Sequence, residues 1–361
     1  MTCAAGEARF AGARRVSEGV WSASLADGTA IPSATLLGYL AEGARTNLLT
    51  YSNALATAPW GVYLASCSNN QSVAPDGTTT ASKLTVSVGQ ASGSVYSTIS
   101  LSGPSTASLS VYAKAGTSQK IRLINSISGV GLGAASAVTQ EGNGSGTLSG
   151  GTSKISYVGN GWYRCSIDGL VSSSQSHVFI VSGYVDSSTV YLWGAQLEAG
   201  AFASSYIPTT TAAVTRNGDD LYYPAGNLSG LTGSVIAQIA ISGVSTVEKD
   251  IVVCSSGQPL YIGGTTKRPF LFDGAARSSS LLPFIESSSV QGIASSWGGS
   301  ACVIALNGAS TGPLTFDGDL NISGVLRIAG NSGINSISGT IRNVRIFSQA
   351  LPDATLKAMT T

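Results

Sequence analysis

The chain holds a single histidine, His177, set beside Val178 and Phe179 in an apolar-alternating run. A lone histidine inside a strand is ordinarily structural, and a nucleophilic triad needs one set against its serine. Gly308-Ala309-Ser310-Thr311-Gly312 has the spacing of a nucleophile elbow, but the elbow requires a strand before it, a helix after it and a histidine downstream. Pro313 follows at once and no histidine lies downstream, so the match is fortuitous. Glycosidic cleavage takes two carboxyls roughly 5–10 Å apart across a cleft. Asp219 and Asp220 are adjacent and would point to opposite faces of a strand. Asp317 and Asp319 could share a face, but they flank Gly318, which favours a turn. The residues point to a protein that is not an enzyme.

Binding chemistry is better represented. Asp317, Asp319 and Asn321 offer the hard oxygen donors that calcium takes on loops, and Glu198 is a second candidate ligand. The plain alternative is a solvated Asp-Gly turn. Ca²⁺ is the one cofactor put forward, and none is certain. Sugars stack their C–H faces on aromatic rings while polar groups fix orientation. Trp162, Trp297, Tyr222 and Tyr223 are the candidate carbohydrate contacts. Trp297 is flanked by Ser295, Ser296, Gly298 and Gly299, which suits an exposed platform or an anchor between subunits. Trp193, within a dense apolar run, reads as core. Arg14, Arg15 and Arg45 are the main basic features of the first segment and suit docking onto a neighbouring subunit through charge-assisted bonds.

The elements that must position these residues are strands. Of 361 residues only 10% are charged, with 19 Lys+Arg against 18 Asp+Glu, and 45 are glycine. That balance lacks the basic footprint of a nucleic-acid binder. It also lacks the charge blocks of a disordered tail. No run of 18 apolar residues occurs, so no membrane insertion is expected. The first residues, lacking a basic stretch followed by an apolar one, do not read as a secretory signal. Five cysteines stand far apart, an odd number with no metal-knuckle spacing. Cys165 and Cys302 read as small buried hydrophobes of a protein made in a reducing cytoplasm. Short period-2 runs recur from about residue 45, including Trp162–Ile167, with Tyr163, Cys165 and Ile167 on one face, and Val190–Leu197. Between them lie Pro75-Asp76-Gly77, Gly142-Asn143-Gly144 and Gly159-Asn160-Gly161, all turn formers. The fold predicted is all-β: two consecutive β-sandwich domains, jelly-roll and lectin-like, with an N-terminal arm and a short C-terminal helix near Leu351, Leu356 and Met359. The divisions are an arm at 1–44, a jelly roll at 45–215, a linker at 216–229 and a second sandwich at 230–361.

Several motifs follow one another along the first half. They are Arg45-Thr46-Asn47-Leu48-Leu49 with Pro59-Trp60, Ala74-Pro75-Asp76-Gly77, Val111-Tyr112-Ala113-Lys114-Ala115-Gly116 and Gly161-Trp162-Tyr163-Arg164. Further on come Leu192-Trp193-Gly194-Ala195-Gln196-Leu197-Glu198, Ser204-Ser205-Tyr206-Ile207-Pro208-Thr209 and Val214-Thr215-Arg216. In this order they resemble a domain common in tail-associated proteins of bacteriophages and prophages, similar to a carbohydrate-binding-module jelly roll and spanning about 42–218. Residues 230–361, through the ending Gly339–Asp353, are similar more loosely to a concanavalin A-like or laminin G-like sandwich. The resemblance implies a tail-associated virion structural protein that attaches to host cell-surface glycan. Its partners would be other virion proteins and further copies of itself, a trimer by analogy. It would be assembled in the bacterial host cytoplasm and reside in the virion, on the tail or particle surface. The competing expectations are an architectural capsid decoration, head-fibre or adaptor protein that binds no sugar, and a glycan-degrading spike.

Overall fold

A computed structural model describes residues 14–17, 20–24, 30–31, 39–100, 105–118, 120–127, 137–141, 152–172, 176–184, 186–200, 202–219, 221–224, 230–241, 249–254, 258–272, 276–278, 282–284, 289–316, 320, 325–330, 337 and 339–361. The chain divides into two units: residues 1–36 with 45–216, and residues 37–44 with 217–361.

In the first unit, a six-stranded antiparallel sheet faces a five-stranded one. The six-stranded sheet is centred on Ser105–Ala115, which pairs with Trp162–Ser172 on one side and Thr189–Ala199 on the other. The five-stranded sheet is built around Ser176–Tyr184, between Lys120–Ile127 and Ser92–Ser100. Alternation sends Leu109, Val111, Cys165, Ile167, Val190, Leu192 and Leu197 inward to meet Val95, Ile121 and Leu123 from the opposite sheet. The six-stranded sheet is buried on its other face too. There Tyr112, Trp162 and Trp193 lie beneath Ala74 and Tyr206. A sheet covered on both faces explains why Thr189–Ala199 is buried nearly throughout rather than on alternate residues. A small antiparallel sheet of Arg14–Ser17, Val20–Ser24 and Ala30–Ile31 precedes these strands.

The second unit is also a sandwich. Its seven-stranded sheet has Thr232–Ile241 between Gln291–Gly298 and Gly339–Phe347. The facing six-stranded sheet includes Lys249–Val253, Gln258–Ile262 and Val325–Ile328. Val235, Ala237, Ile239 and Ile241, two apart, fill the space between the sheets with Trp297, Ile304, Leu260 and Leu326. The helix Asp353–Met359 begins after Pro352 and drops Leu356 onto Ile236, Ala294 and Ala305 on the outer face of the seven-stranded sheet. The all-β architecture with one short C-terminal helix is therefore the one the sequence predicts.

One part of the predicted arm is placed differently. Residues 37–44 contribute the strand Tyr39–Ala41 to the second sandwich, where it pairs with Gly339–Ile341 at the edge of the seven-stranded sheet. The backbone of Glu42 then exchanges bonds with Asp219: Glu42 N donates to Asp219 Oδ2 at 2.9 Å, and Asp219 N donates to the Glu42 carbonyl at 2.8 Å. Directly afterwards, Arg45–Asn47 pairs antiparallel with Val214–Arg216 within the first unit. The chain thus enters and leaves the first sandwich along two neighbouring strands.

Candidate functional site

The motifs of the first sandwich converge on a buried polar network rather than on a cleft. Asn47, fully buried, donates through Nδ2 to the carbonyls of Ala195 (3.1 Å) and Ile207 (2.9 Å). Its Oδ1 accepts from the backbone N–H groups of Leu49 (3.1 Å) and Leu197 (3.2 Å). One side chain therefore ties three segments distant in sequence. Gln196 repeats the device: Oε1 accepts the Ile207 N–H at 2.6 Å, and Nε2 donates to the carbonyls of Ser204 and Ser205. The Tyr206 hydroxyl bonds Ser52 Oγ at 2.6 Å, and burial pushes its pKa up from the ordinary value. Gly194 is left-handed at φ +63°, with the Tyr112 and Tyr206 rings where a Cβ would stand.

This network corrects several sequence-based assignments. Glu198 is fully buried; its two oxygens accept the Ser204 N–H (2.9 Å) and the Ser204 hydroxyl. Its carboxylate anchors the 204–209 segment, so it is not a calcium ligand. Trp162 is 1% exposed, donates Nε1 to the Val73 carbonyl at 3.0 Å and belongs to the aromatic layer over the six-stranded sheet. Trp297 is fully buried between the two sheets of the second sandwich, with its ring over Gly233 on the neighbouring strand. Neither indole offers a face to a sugar. The Arg45 guanidinium is engaged within its own sandwich: it donates to the Ala199 carbonyl at 2.9 Å and lies 5.1 Å from the centroid of Phe202, so it is no free docking cation. Tyr222 and Tyr223 stand in the strand Leu221–Pro224, opposite Arg327 and Leu326; their side chains lie outside the described residues. The same holds for the side chains of Arg14 and Arg15, in the strand opposite Ser22 and Trp21. Asp317, Asp319 and Asn321 lie outside the described residues. The Gly-x-Ser-x-Gly match starts at the second residue of a hairpin turn, Asn307-Gly308, both left-handed, and its serine lies in the strand Ala309–Ser310 that follows, not at the head of a helix. Asp219 is held in the Glu42 bond exchange.

An aromatic surface does exist, at a place the sequence reading passed over. The strands Thr152–Gly159 and Trp162–Ser172 are joined by Asn160-Gly161, both at positive φ. Two left-handed residues make a type I′ turn, whose twist matches that of the strands and closes the pair Gly159–Trp162. A register shift between Tyr157 and Gly159, with Gly159 at φ +102°, then sets Tyr157 rather than Val158 directly opposite Tyr163. Their ring centroids are 5.2 Å apart at 59° between planes. Tyr163 packs against the core, while Tyr157 is 61% exposed. The Tyr157 hydroxyl accepts the Gly161 N–H at 3.4 Å, which steadies the ring from its far end. A braced, outward-facing ring on a hairpin can stack on an apolar ligand face with little ordering cost. Asn160-Gly161 announces the turn, but the pairing of Tyr157 with Tyr163 depends on the register shift before Gly159, which the turn alone does not announce.

No family model matches this sequence, and no curated protein does. Among solved structures, the chain is similar to domain 4 of AbnA, a GH43 extracellular arabinanase from Geobacillus stearothermophilus in complex with arabinotriose, at 12% identity and a TM-score of 0.34 over 45% of this chain and 84% of that one. It is similar to a candidate carbohydrate-binding protein from Bacteroides ovatus at 15% identity and a TM-score of 0.32, covering 82% and 83% of the two chains. Domains LG4-5 of the mouse laminin α1 chain overlay at 10% identity and a TM-score of 0.27, covering 89% and 96%.

Proposed function

We propose that this chain is a non-catalytic attachment protein of a phage particle, tail-associated, whose first sandwich holds host-surface glycan against Tyr157. The observation that carries the glycan contact is the exposed Tyr157 ring braced by Tyr163 on a type I′ hairpin. Support for the particle comes from the ordered motifs of residues 42–218, which resemble those of tail-associated proteins. The near-neutral composition fits a partner met by stacking and hydroxyl contacts rather than by long-range charge. One aromatic contact is worth about 1 kcal/mol, a several-fold change in Kd. Repetition of the chain on a particle would convert such weak contacts into firm adhesion.

The test is binding of the purified chain to an array of bacterial surface glycans. Tyr157→Ala, at an exposed position, is expected to keep its melting temperature and lose binding several-fold. Unchanged glycan binding by that variant removes Tyr157 from the role. Electron microscopy of labelled particles would separate tail attachment from a capsid or adaptor position.

A further inference from the structure

The outer face of the second sandwich carries a groove of about 260 Å³ between the strand Gly339–Phe347 and the last turn of the C-terminal helix. Its lining is Ile236, Gln238, Asn343, Arg345, Ala358 and Met359. The groove has a specific structural origin. A bulge interrupts the pairing of Thr232–Ile241 with Gly339–Phe347, so that Asn343 and Val344 stand where one residue would pair, and Asn343 adopts φ +52°. A bulge re-aims side chains. Here the Asn343 amide donates to Gln238 Oε1 at 2.7 Å, and Arg342 Nε donates to the same oxygen at 3.1 Å.

Two consequences follow for the polar groups. Both neighbours of Gln238 are donors, so its oxygen must face them, and its amide nitrogen is left to donate elsewhere. Arg345 is exposed and, among the described residues, has no hydrogen-bond or ion-pair partner. The nearby helix end does not neutralise it through open carbonyls. Thr360 Oγ1 donates to the Leu356 and Lys357 carbonyls, and Thr361 Oγ1 to those of Lys357 and Ala358. Among the described residues no carboxylate lines the groove, and the helix's own Asp353 is paired with Lys357 at 2.8 Å. The site therefore offers a guanidinium fork and an amide donor on one side, with Ile236, Ala358 and Met359 as an apolar wall on the other.

We infer that this groove binds a carboxylate-bearing sugar unit, a uronate, with its carboxylate on Arg345 and Gln238 and its ring against Met359. The guanidinium fork matches a carboxylate in two parallel bonds, and the apolar wall suits the C–H face of a pyranose. The volume admits one such unit. This site lies in the other sandwich from Tyr157, so either reading can fail alone.

The experiment titrates sodium glucuronate, glucose and glucose 6-phosphate into the full chain, followed by calorimetry or saturation-transfer NMR. Saturable glucuronate binding is expected, with glucose at least roughly tenfold weaker. Arg345→Ala should weaken glucuronate binding by roughly tenfold to a hundredfold, the worth of a hydrogen bond to a charged group. Arg345→Lys, which keeps the charge but not the fork, should fall between. Asn343→Gly keeps the left-handed backbone and removes the amide that orients Gln238, so it should also weaken binding. Tyr157→Ala should leave it unchanged. The inference is overturned by an absence of saturable glucuronate binding, or by Arg345→Ala binding as the unaltered chain does. Binding of glucose 6-phosphate with none of glucuronate also overturns it.

Discussion

Replacing Asn47 by leucine tests whether the motifs of the first sandwich are a structural staple. The two side chains have similar volume, so the substitution opens little space. It removes two donors and one acceptor that serve four backbone groups: the carbonyls of Ala195 and Ile207 and the N–H groups of Leu49 and Leu197. Asn47 is fully buried, so water cannot replace it readily. Each buried bond lost costs about 1 kcal/mol net, and a stranded polar partner costs more. Four bonds give about 4 kcal/mol for Asn47→Leu. For a unit of this size, 1 kcal/mol moves the melting temperature by roughly 2–4 °C, so the first unit should melt roughly 8–16 °C lower. Asn47→Asp separates the two halves of the network. It keeps the acceptor for Leu49 and Leu197 but turns a carboxylate towards two carbonyls, so it should be at least as damaging. The assay is calorimetry on the full chain, where the two sandwiches can melt separately and the second serves as an internal reference. A shift below about 3 °C for Asn47→Leu would refute the argument.

Two further outcomes follow from the burial described above. Trp297→Ala should destabilise the second sandwich by about 3–5 kcal/mol through the cavity it leaves, seen as a selective loss of that unit's melting transition; a change under about 1 kcal/mol would place the ring on the surface after all. Asp168 is 2% exposed; burial raises its pKa, and Lys154 at 3.4 Å with the Ala203 N–H offsets this only in part. The folded chain then holds the proton to higher pH than the unfolded chain, so stability falls as pH rises from about 4 through the folded value. Asp168→Asn should remove that slope, and its melting temperature relative to the unaltered chain should climb across the window; a relative fall would reverse the sign of the reasoning.

Local patterns were legible where neighbours in sequence decide the outcome. Period-2 runs at Trp162–Ile167 and Val190–Leu197 marked the strands Trp162–Ser172 and Thr189–Ala199, Asn160-Gly161 marked the turn between strands, and Leu351, Leu356 and Met359 marked the helix Asp353–Met359. Trp193 and Cys165 are buried, as their apolar runs imply. The misreadings have a common cause, which is that burial is decided across strands. Small residues around Trp297 suggested an exposed ring. They instead leave room for an indole that the directly opposite Gly233 accommodates from the next strand. Trp162 is covered by the 73–81 and 204–206 segments, which no pattern around residue 162 announces. Glu198 looked like a free carboxylate because its donor, Ser204, follows only after a turn. Tyr39–Ala41 carries no periodicity long enough to read, and its partner is nearly the whole chain away.

That pairing governs the order of events during synthesis. The strand Tyr39–Ala41 leaves the ribosome about 300 residues ahead of Gly339–Phe347, a delay of roughly 15–60 s at ordinary elongation rates. Closing so long a loop between flexible ends is entropically unfavourable. Once the first sandwich has folded, the pairing of Arg45–Asn47 with Val214–Arg216 brings the two ends of that stretch side by side. The distance along flexible chain shrinks by more than half, which lowers the closure term by roughly 0.8 kcal/mol at the logarithmic rate. The closure term therefore favours a nested order of assembly, in which the first sandwich closes before Tyr39–Ala41 meets its partner strand.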